Sequence, residues 1–250
     1  MRAPFTVTII TLNAEKEIEP CLASVAFADE ILVVDSGSSD ATVDIARRHG
    51  ARVVAQRWLG YGPQKRFAAD QAKHEWILSL DADERLTDEL AESIRRTLEA
   101  PRHAAYEFAR RNRFWGRWLK HGEGYPDWTI RLFDRGRANW SDDTVHEKVI
   151  ARGSVARLAG DLLHESEQGL ANYLAKQNRY TTLAAEQLHA QGRRSSIAKM
   201  VLGPPVRFVK FYFIRLGLLD GVPGLVHILI GCFNTFAKQA KLAEIGRNRG

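Results

Sequence analysis

The residues with the clearest chemical potential in this 250-residue chain close an apolar run: Trp76-Ile77-Leu78-Ser79-Leu80 leads directly into Asp81-Ala82-Asp83-Glu84. Carboxylates this close at the end of a buried strand repel one another unless something neutralises them. Hard oxygen ligands clustered in this way suit a divalent cation together with a substrate phosphate. The same residues also fit a purely structural role, a strand running into a helix with an acidic first turn, which the helix macrodipole favours. Thr87-Asp88-Glu89 answers that description, a threonine cap and early acids opening a helix over Asp88 to Glu99. Downstream, Asp127, the Asp142-Asp143 pair and Val145-His146-Glu147 can each supply a general base or a further metal ligand.

Such groups need a rigid frame. Up to Glu84 the chain alternates short β-rich runs with helical segments, which predicts an α/β domain with a mainly parallel sheet. Strands are expected at Val7 to Leu12, Ile31 to Asp35, Arg52 to Ala55 and Trp76 to Leu80, the last buried on both faces because it is apolar without alternation. Helices are expected over Glu15 to Ala26, Asp40 to His49 and Gln64 to Ala72. Ligands of such sheets bind beyond the carboxyl ends of the strands, where three polar clusters fall: Asn13-Ala14-Glu15, Asp35-Ser36-Gly37-Ser38-Ser39-Asp40 and Asp81-Ala82-Asp83. The Gly/Ser-rich loop offers backbone N–H groups and hydroxyls to a nucleotide, although an ordinary capped turn has the same composition. It lacks the glycine spacing of a dinucleotide fingerprint and the lysine of a phosphate loop.

Composition narrows the class. A 45% hydrophobic content suffices for a substantial core, and a net charge of +6 points to an anionic partner: nucleotide phosphate, nucleic acid or an acidic membrane surface. Cys21 and Cys232 lie far apart without metal-ligand spacing, so neither a disulfide framework nor a zinc site is indicated. With no signal-peptide pattern at the N-terminus, a cytoplasmic catalytic part is expected.

Between Ala104 and Val155 the pattern turns aromatic and basic, with Arg110-Arg111-Asn112-Arg113-Phe114-Trp115 and Tyr125-Pro126-Asp127-Trp128. Stacking on a sugar or nucleobase is one use for it, core aromatics beside solvated arginines another. A helix over Leu170 to Gln191 follows, and from Ile197 to Phe236 the chain is strongly apolar but interrupted by Gly203-Pro204-Pro205, Gly217, Gly221 and Pro223-Gly224. The uncharged stretch Gly221 to Ala237 is shorter than the about 20 apolar residues of a spanning helix. Arg207, Lys210 and Arg215 share one helical arc, while Val206, Val209, Phe213 and Leu216 share another. That pattern fits a helix lying in a membrane interface, or a helical hairpin packed on its own domain or a second subunit.

Taken in order, Val7-Thr8-Ile9-Ile10-Thr11-Leu12-Asn13-Ala14-Glu15, Ala28-Asp29-Glu30-Ile31-Leu32-Val33-Val34-Asp35-Ser36-Gly37-Ser38-Ser39-Asp40 and Leu80-Asp81-Ala82-Asp83-Glu84 resemble family 2 glycosyltransferases. Tyr125-Pro126-Asp127-Trp128 with Arg131-Leu132-Phe133, Val145-His146-Glu147, Phe211-Tyr212-Phe213 and Leu219-Asp220-Gly221 resemble the lipopolysaccharide-core β-1,4-glucosyltransferase branch. The resemblance implies a GT-A fold over 1–165, with a nucleotide-sugar-binding half (1–100) and an acceptor half (101–165), and a helical extension over 166–250 that associates with membrane. It implies donor-binding roles for Thr11, Asn13, Glu15, Asp35, Ser36, Gly37 and Asp81, and a Mg²⁺ or Mn²⁺ site at Asp83 with Asp81 and His146. Where many members carry a second acid, this chain has Ser36.

The implied reaction transfers a sugar, glucose by resemblance, from a UDP-sugar to a lipid-linked saccharide such as lipopolysaccharide inner core, at the cytoplasmic face of the inner membrane. Inversion at the anomeric carbon needs one base; Glu147 is the first candidate and Asp127 the second. A polyprenyl-phosphate sugar transferase is the rival within the same chemistry. A nucleic-acid-binding protein is the rival outside it, suggested by charge and the Arg110 to Trp118 segment but supported by no recognised motif. Nucleic acid is accordingly not expected as a partner.

Overall fold

The computed structural model describes residues 2–143, 147–165 and 169–248. In chain order its strands and helices are β1 (Phe5–Thr11), α1 (Ile18–Ser24), β2 (Glu30–Asp35), α2 (Thr42–Arg48), β3 (Arg52–Ala55), α3 (Tyr61–Asp70), β4 (Trp76–Asp81), β5 (Glu84–Leu86) and α4 (Asp88–Glu99). Then come β6 (Ala105–Phe114), β7 (Arg117–Trp118), β8 (Asp127–Asp134), β9 (Ala138–Trp140), β10 (Val149–Ala151) and β11 (Val155–His164). The chain ends in α5 (Gly169–Ala190), α6 (Ile197–Phe208) and α7 (Gly221–Asn248). Among the described residues two compact units form, one from 2–110 and 127–165, the other from 111–126 and 169–248.

The first unit is built on one mixed sheet in the order β3-β2-β1-β4-β8-β6-β11-β5. Its β3-β2-β1-β4 half is parallel, and β8 joins antiparallel to β4. β1 (FTVTIIT) is rich in β-branched residues and buried along its whole length, as expected of a central strand covered on both faces. Phe5, Val7, Ile9, Leu78 and Leu80 meet Ile18 and Leu22 of α1 and Leu90 and Ile94 of α4 in the main core. Each large aliphatic side chain so buried contributes about 1.5–3 kcal/mol.

Several element ends differ from the sequence-based expectation. Helix α1 starts at Ile18 rather than Glu15, because the N–H groups of Asn13 and Glu15 donate to the side chains of Ser38 and Asp40. Helix α4 spans Asp88–Glu99 as expected, its Thr87 hydroxyl accepting from the Leu90 N–H.

The second unit joins the excursion 111–126 to the C-terminal helices. The units do not divide at residue 165 alone: 111–126 groups with the C-terminal helices, although 111–114 continue β6 and β7 pairs with it. Buried Asp220 accepts from the N–H groups of Lys120 and His121 through one carboxylate oxygen, and Arg207 pairs with Glu123. Neither α6 nor α7 breaks where glycine and proline predict. Pro204 and Pro205 lie within α6, and the turn after them, Val209–Ile214, is π-helical. Pro223 occupies the first turn of α7, where backbone N–H groups lack intrahelical partners in any case. The helical segment Gly217–Arg247 is, by length and composition, long and apolar enough to cross a membrane.

Gly160 shows how closely this sheet and α4 approach. It holds φ +94°, and a Cβ there would stand 2.3 Å from the Leu90 backbone nitrogen. Gly160→Ala is expected to destabilise the fold by roughly 2 kcal/mol or more, through backbone strain and displacement of the α4 N-terminus. Urea unfolding at neutral pH checks this, and a midpoint equal to that of the parent chain would refute it.

Candidate functional site

Two polar clusters at the carboxyl edge of the parallel strands lock each other. Asp35, the last residue of β2, accepts from the N–H groups of Gly37 and Ser38, both at 2.9 Å, and from the Ser38 hydroxyl at 2.5 Å. Asn13, in the left-handed region at φ 51°, donates its N–H to Ser38 Oγ and accepts from the Ser39 N–H at 2.8 Å. Glu15 accepts from the Ala41 N–H at 3.2 Å, and Thr11 O accepts from the Ser36 N–H at 2.9 Å. Buried Gln64 of α3 donates to Ser36 Oγ at 3.1 Å. Thr11, Asn13, Glu15, Asp35, Ser36 and Gly37 thus form one preset loop system. The Asn13 and Glu15 side chains are engaged in holding it, and the Thr11 hydroxyl is buried without a hydrogen-bond partner.

The acids after β4 are neutralised by cations from other parts of the sheet unit. Lys65 Nζ lies 3.0 Å from Asp81 Oδ1 and 3.0 Å from Glu147 Oε1. Arg131 Nη2 lies 3.0 Å from Asp81 Oδ2 and 2.7 Å from Glu84 Oε1. Arg110 stands 3.6 Å from Glu84 and puts Nε and Nη2 on one oxygen of Asp127, at 2.9 and 2.7 Å. The Trp140 ring lies 4.7 Å from the Lys65 ammonium and 5.5 Å from the Arg131 guanidinium, adding a cation–π contact to each. Burial pushes the Asp81 carboxyl up, but the charges of Lys65 and Arg131 outweigh it and hold Asp81 far below the usual carboxylate range. Burial lowers Arg131, and Glu84 and Asp81 more than reverse this, so the guanidinium stays charged.

Asp83 is oriented differently. Its Oδ2 stands 3.2 Å from Nε2 of His164, the last residue of β11, which antiparallel pairing sets opposite Glu84. Of the three residues expected from sequence to hold a metal, Asp81 has both oxygens taken by cationic side chains, Asp83 faces His164, and His146 lies outside the described residues. No group of three or more His, Cys, Asp and Glu gathers at metal-binding range among the described residues. Asp142 makes an exposed ion pair with Arg66. The sequence pattern assigns no role to Lys65 or His164, and Arg131 stands in a motif without one. A lysine on a short helix reads as a surface charge, whereas Arg131, between Ile130 and Leu132-Phe133 in an apolar strand, carried a signal of burial.

The sheet and the helices that cover it have the GT-A glycosyltransferase fold. Residues 6–158 match the family model described as "Glycosyl transferase family 2", and the chain belongs to that family. It is similar to the lipopolysaccharide core biosynthesis glycosyltransferase LpsC of Rhizobium meliloti, 31% identical over 97% of this chain and 93% of that one. An uncharacterized glycosyltransferase of Rickettsia typhi is 32% identical over 95% of this chain and 86% of its own. Among solved structures, the mannosyltransferase PcManGT from Pyrobaculum calidifontis, in complex with GDP-Man and Mn²⁺, superposes with a TM-score of 0.55 at 16% identity, covering 100% of this chain and 88% of that one. S. aureus TarS 1-349 in complex with UDP-GlcNAc gives 0.50 at 14% identity, covering 98% and 92%. At these identities the structures speak for the fold.

The depressed Asp81 carboxyl makes stability depend on acid. Because its folded value lies below the unfolded value of about 3.9, its stabilising contribution is complete at pH well above 4 and drains away as pH falls below that value. Unfolding free energy measured between about pH 5 and 2 is expected to fall less steeply in Asp81→Asn than in the parent chain. Identical slopes would mean that Asp81 contributes no such linkage.

Proposed function

We propose that the chain is an inverting glycosyltransferase that moves a sugar, glucose in this reading, from a UDP-sugar to a lipid-linked acceptor such as lipopolysaccharide inner core. The observation that carries it is the single ammonium of Lys65 between Asp81, on the donor-side strand end, and Glu147, beside the β9–β10 hairpin. Membership of the family and the similarity to LpsC support the substrate class. Asp83 and His164 would hold the divalent cation: a carboxylate oxygen and an imidazole nitrogen 3.2 Å apart form a donor pair that suits Mn²⁺ better than the strictly oxygen-seeking Mg²⁺. When bound there, the cation offsets the charge that develops on the departing diphosphate.

Glu147 takes the proton of the acceptor hydroxyl as its oxygen forms the bond to the anomeric carbon. The bond from that carbon to the diphosphate breaks on the opposite side, and the electron pair leaves with the nucleotide. Asp127 is the weaker candidate base, since one of its oxygens is already clamped by two nitrogens of Arg110. A UDP-sugar with Mn²⁺ is expected to raise the thermal midpoint of the parent chain but not of Asp83→Ala. Glu147→Gln is expected to keep that shift and lose about 10²–10⁴-fold in transfer. Unimpaired transfer by Asp83→Ala would remove the cation from the scheme.

The second unit supports docking at the cytoplasmic membrane face, in the interface rather than across it. Ile197, Val201 and Val206 of α6, Phe213 and Ile214 after it, and Phe233 of α7 are all exposed. Exposed apolar surface with basic neighbours such as Lys199 and Lys210 fits an interface lined with anionic headgroups. The protein is expected to float with vesicles containing anionic lipid, and Phe213→Ser/Ile214→Ser/Phe233→Ser to weaken this markedly. Equal flotation of both would assign docking to another surface.

A further inference from the structure

Beyond the base itself, we infer that Lys65 is a positioning residue: one face of α3 packs against residues 141–143, and the Lys65 ammonium fixes the Glu147 carboxylate relative to the donor-side Asp81. The inference rests on the reading of Glu147 as base.

Three independent contacts define that face. Gly62, Lys65, Arg66 and Ala69 recur at the i, i+3, i+4, i+7 spacing of one helical stripe. At Gly62 the helix comes so close to the hairpin loop that a Cβ would stand 2.4 Å from the carbonyl oxygens of both Ser141 and Asp143. Arg66 reaches Asp142 at 2.8 Å, and Ala69 packs in the same small core as Trp140 and Val149, which face each other across β9 and β10. The hairpin is closed at its base by Ser141 N–H to Lys148 O at 2.8 Å and Lys148 N–H to Ser141 Oγ at 3.2 Å, which brings Glu147 next to α3.

Within this clamp Lys65 is 2% exposed, and its partners are Asp81, Glu147 and the Trp140 ring. Neutralising Asp81 does not by itself require Lys65, because Arg131 already holds the other oxygen of that carboxylate at 3.0 Å. What Lys65 adds is the link to Glu147. An ammonium 3.0 Å from Oε1 restricts the rotation of the carboxylate, which a base needs before it meets the acceptor hydroxyl.

The test is a double-mutant cycle on the full chain with Lys65→Met and Glu147→Gln. Transfer is followed from a radiolabelled UDP-sugar to truncated lipopolysaccharide from cells in which the gene is deleted. Lys65→Met is expected to lower kcat by about 10²-fold with little change in KM for the UDP-sugar, and to cost little further in a chain that already carries Glu147→Gln. Lys65→Arg, which keeps the charge, is expected to recover part of the rate. Full multiplication of the two losses, or no recovery in Lys65→Arg, would overturn the role of Lys65 while leaving Glu147 as base. Glu147→Gln transferring like the parent would sink the base assignment and this inference with it. If Lys65→Met does not fold, Lys65→Gln takes its place in the same cycle: non-additivity with Glu147→Gln supports the role of Lys65, and additivity rejects it.

Discussion

The constraint on which the site depends is the pairing of charge at the end of β4. Asp81, Glu84, Asp127 and Glu147 bring four carboxylates to one region of the sheet unit, and Lys65, Arg110 and Arg131 answer them from α3, β6 and β8. Glu84 is fully buried and Arg131 nearly so. Removing either would leave the other with one remaining ion-pair partner, Arg110 for Glu84 and Asp81 for Arg131. The antiparallel strands β6 and β8 are therefore more than an extension of the parallel half: they carry the cations that let acids collect at its carboxyl edge.

That arrangement changes the meaning of the acidic motif. Like charges crowded after an apolar strand repel one another, and within the folded chain Lys65 and Arg131 offset those of Asp81 and Glu84. Asp83 is set against His164 rather than against Lys65 or Arg131. The two aspartates of the motif thus divide into one held by lysine and arginine and one held against an imidazole.

What the sequence disclosed follows the range of the interactions. Local signals were read well: β3 and α4 begin and end where strand pattern and the Thr87 cap place them, and the polar clusters around Asn13, Asp35 and Asp81 do sit at strand ends. Interactions between distant residues were not legible. Lys65 meets Glu147 across 82 positions, and Arg131 meets Asp81 across 50; neither spacing leaves a periodic trace. The acceptor half expected over 101–165 gave no sign that Lys120, His121 and Glu123 bond to Asp220 and Arg207 about a hundred residues on. Helix α7 was read as interrupted because proline was weighed without regard to its place in the first turn.

The missing side chain at Gly62 carries an implication for how this protein can diverge. Helix α3 and the hairpin loop meet there backbone to backbone, leaving no compressible side chain to absorb a change. A substitution at Gly62 becomes tolerable only after the 141–143 segment has altered its path, and a new path for that segment alters where the neighbouring acid points. The two segments can drift only in step, so change is more accessible on surfaces that do not touch α3 than in the segment that lies against it.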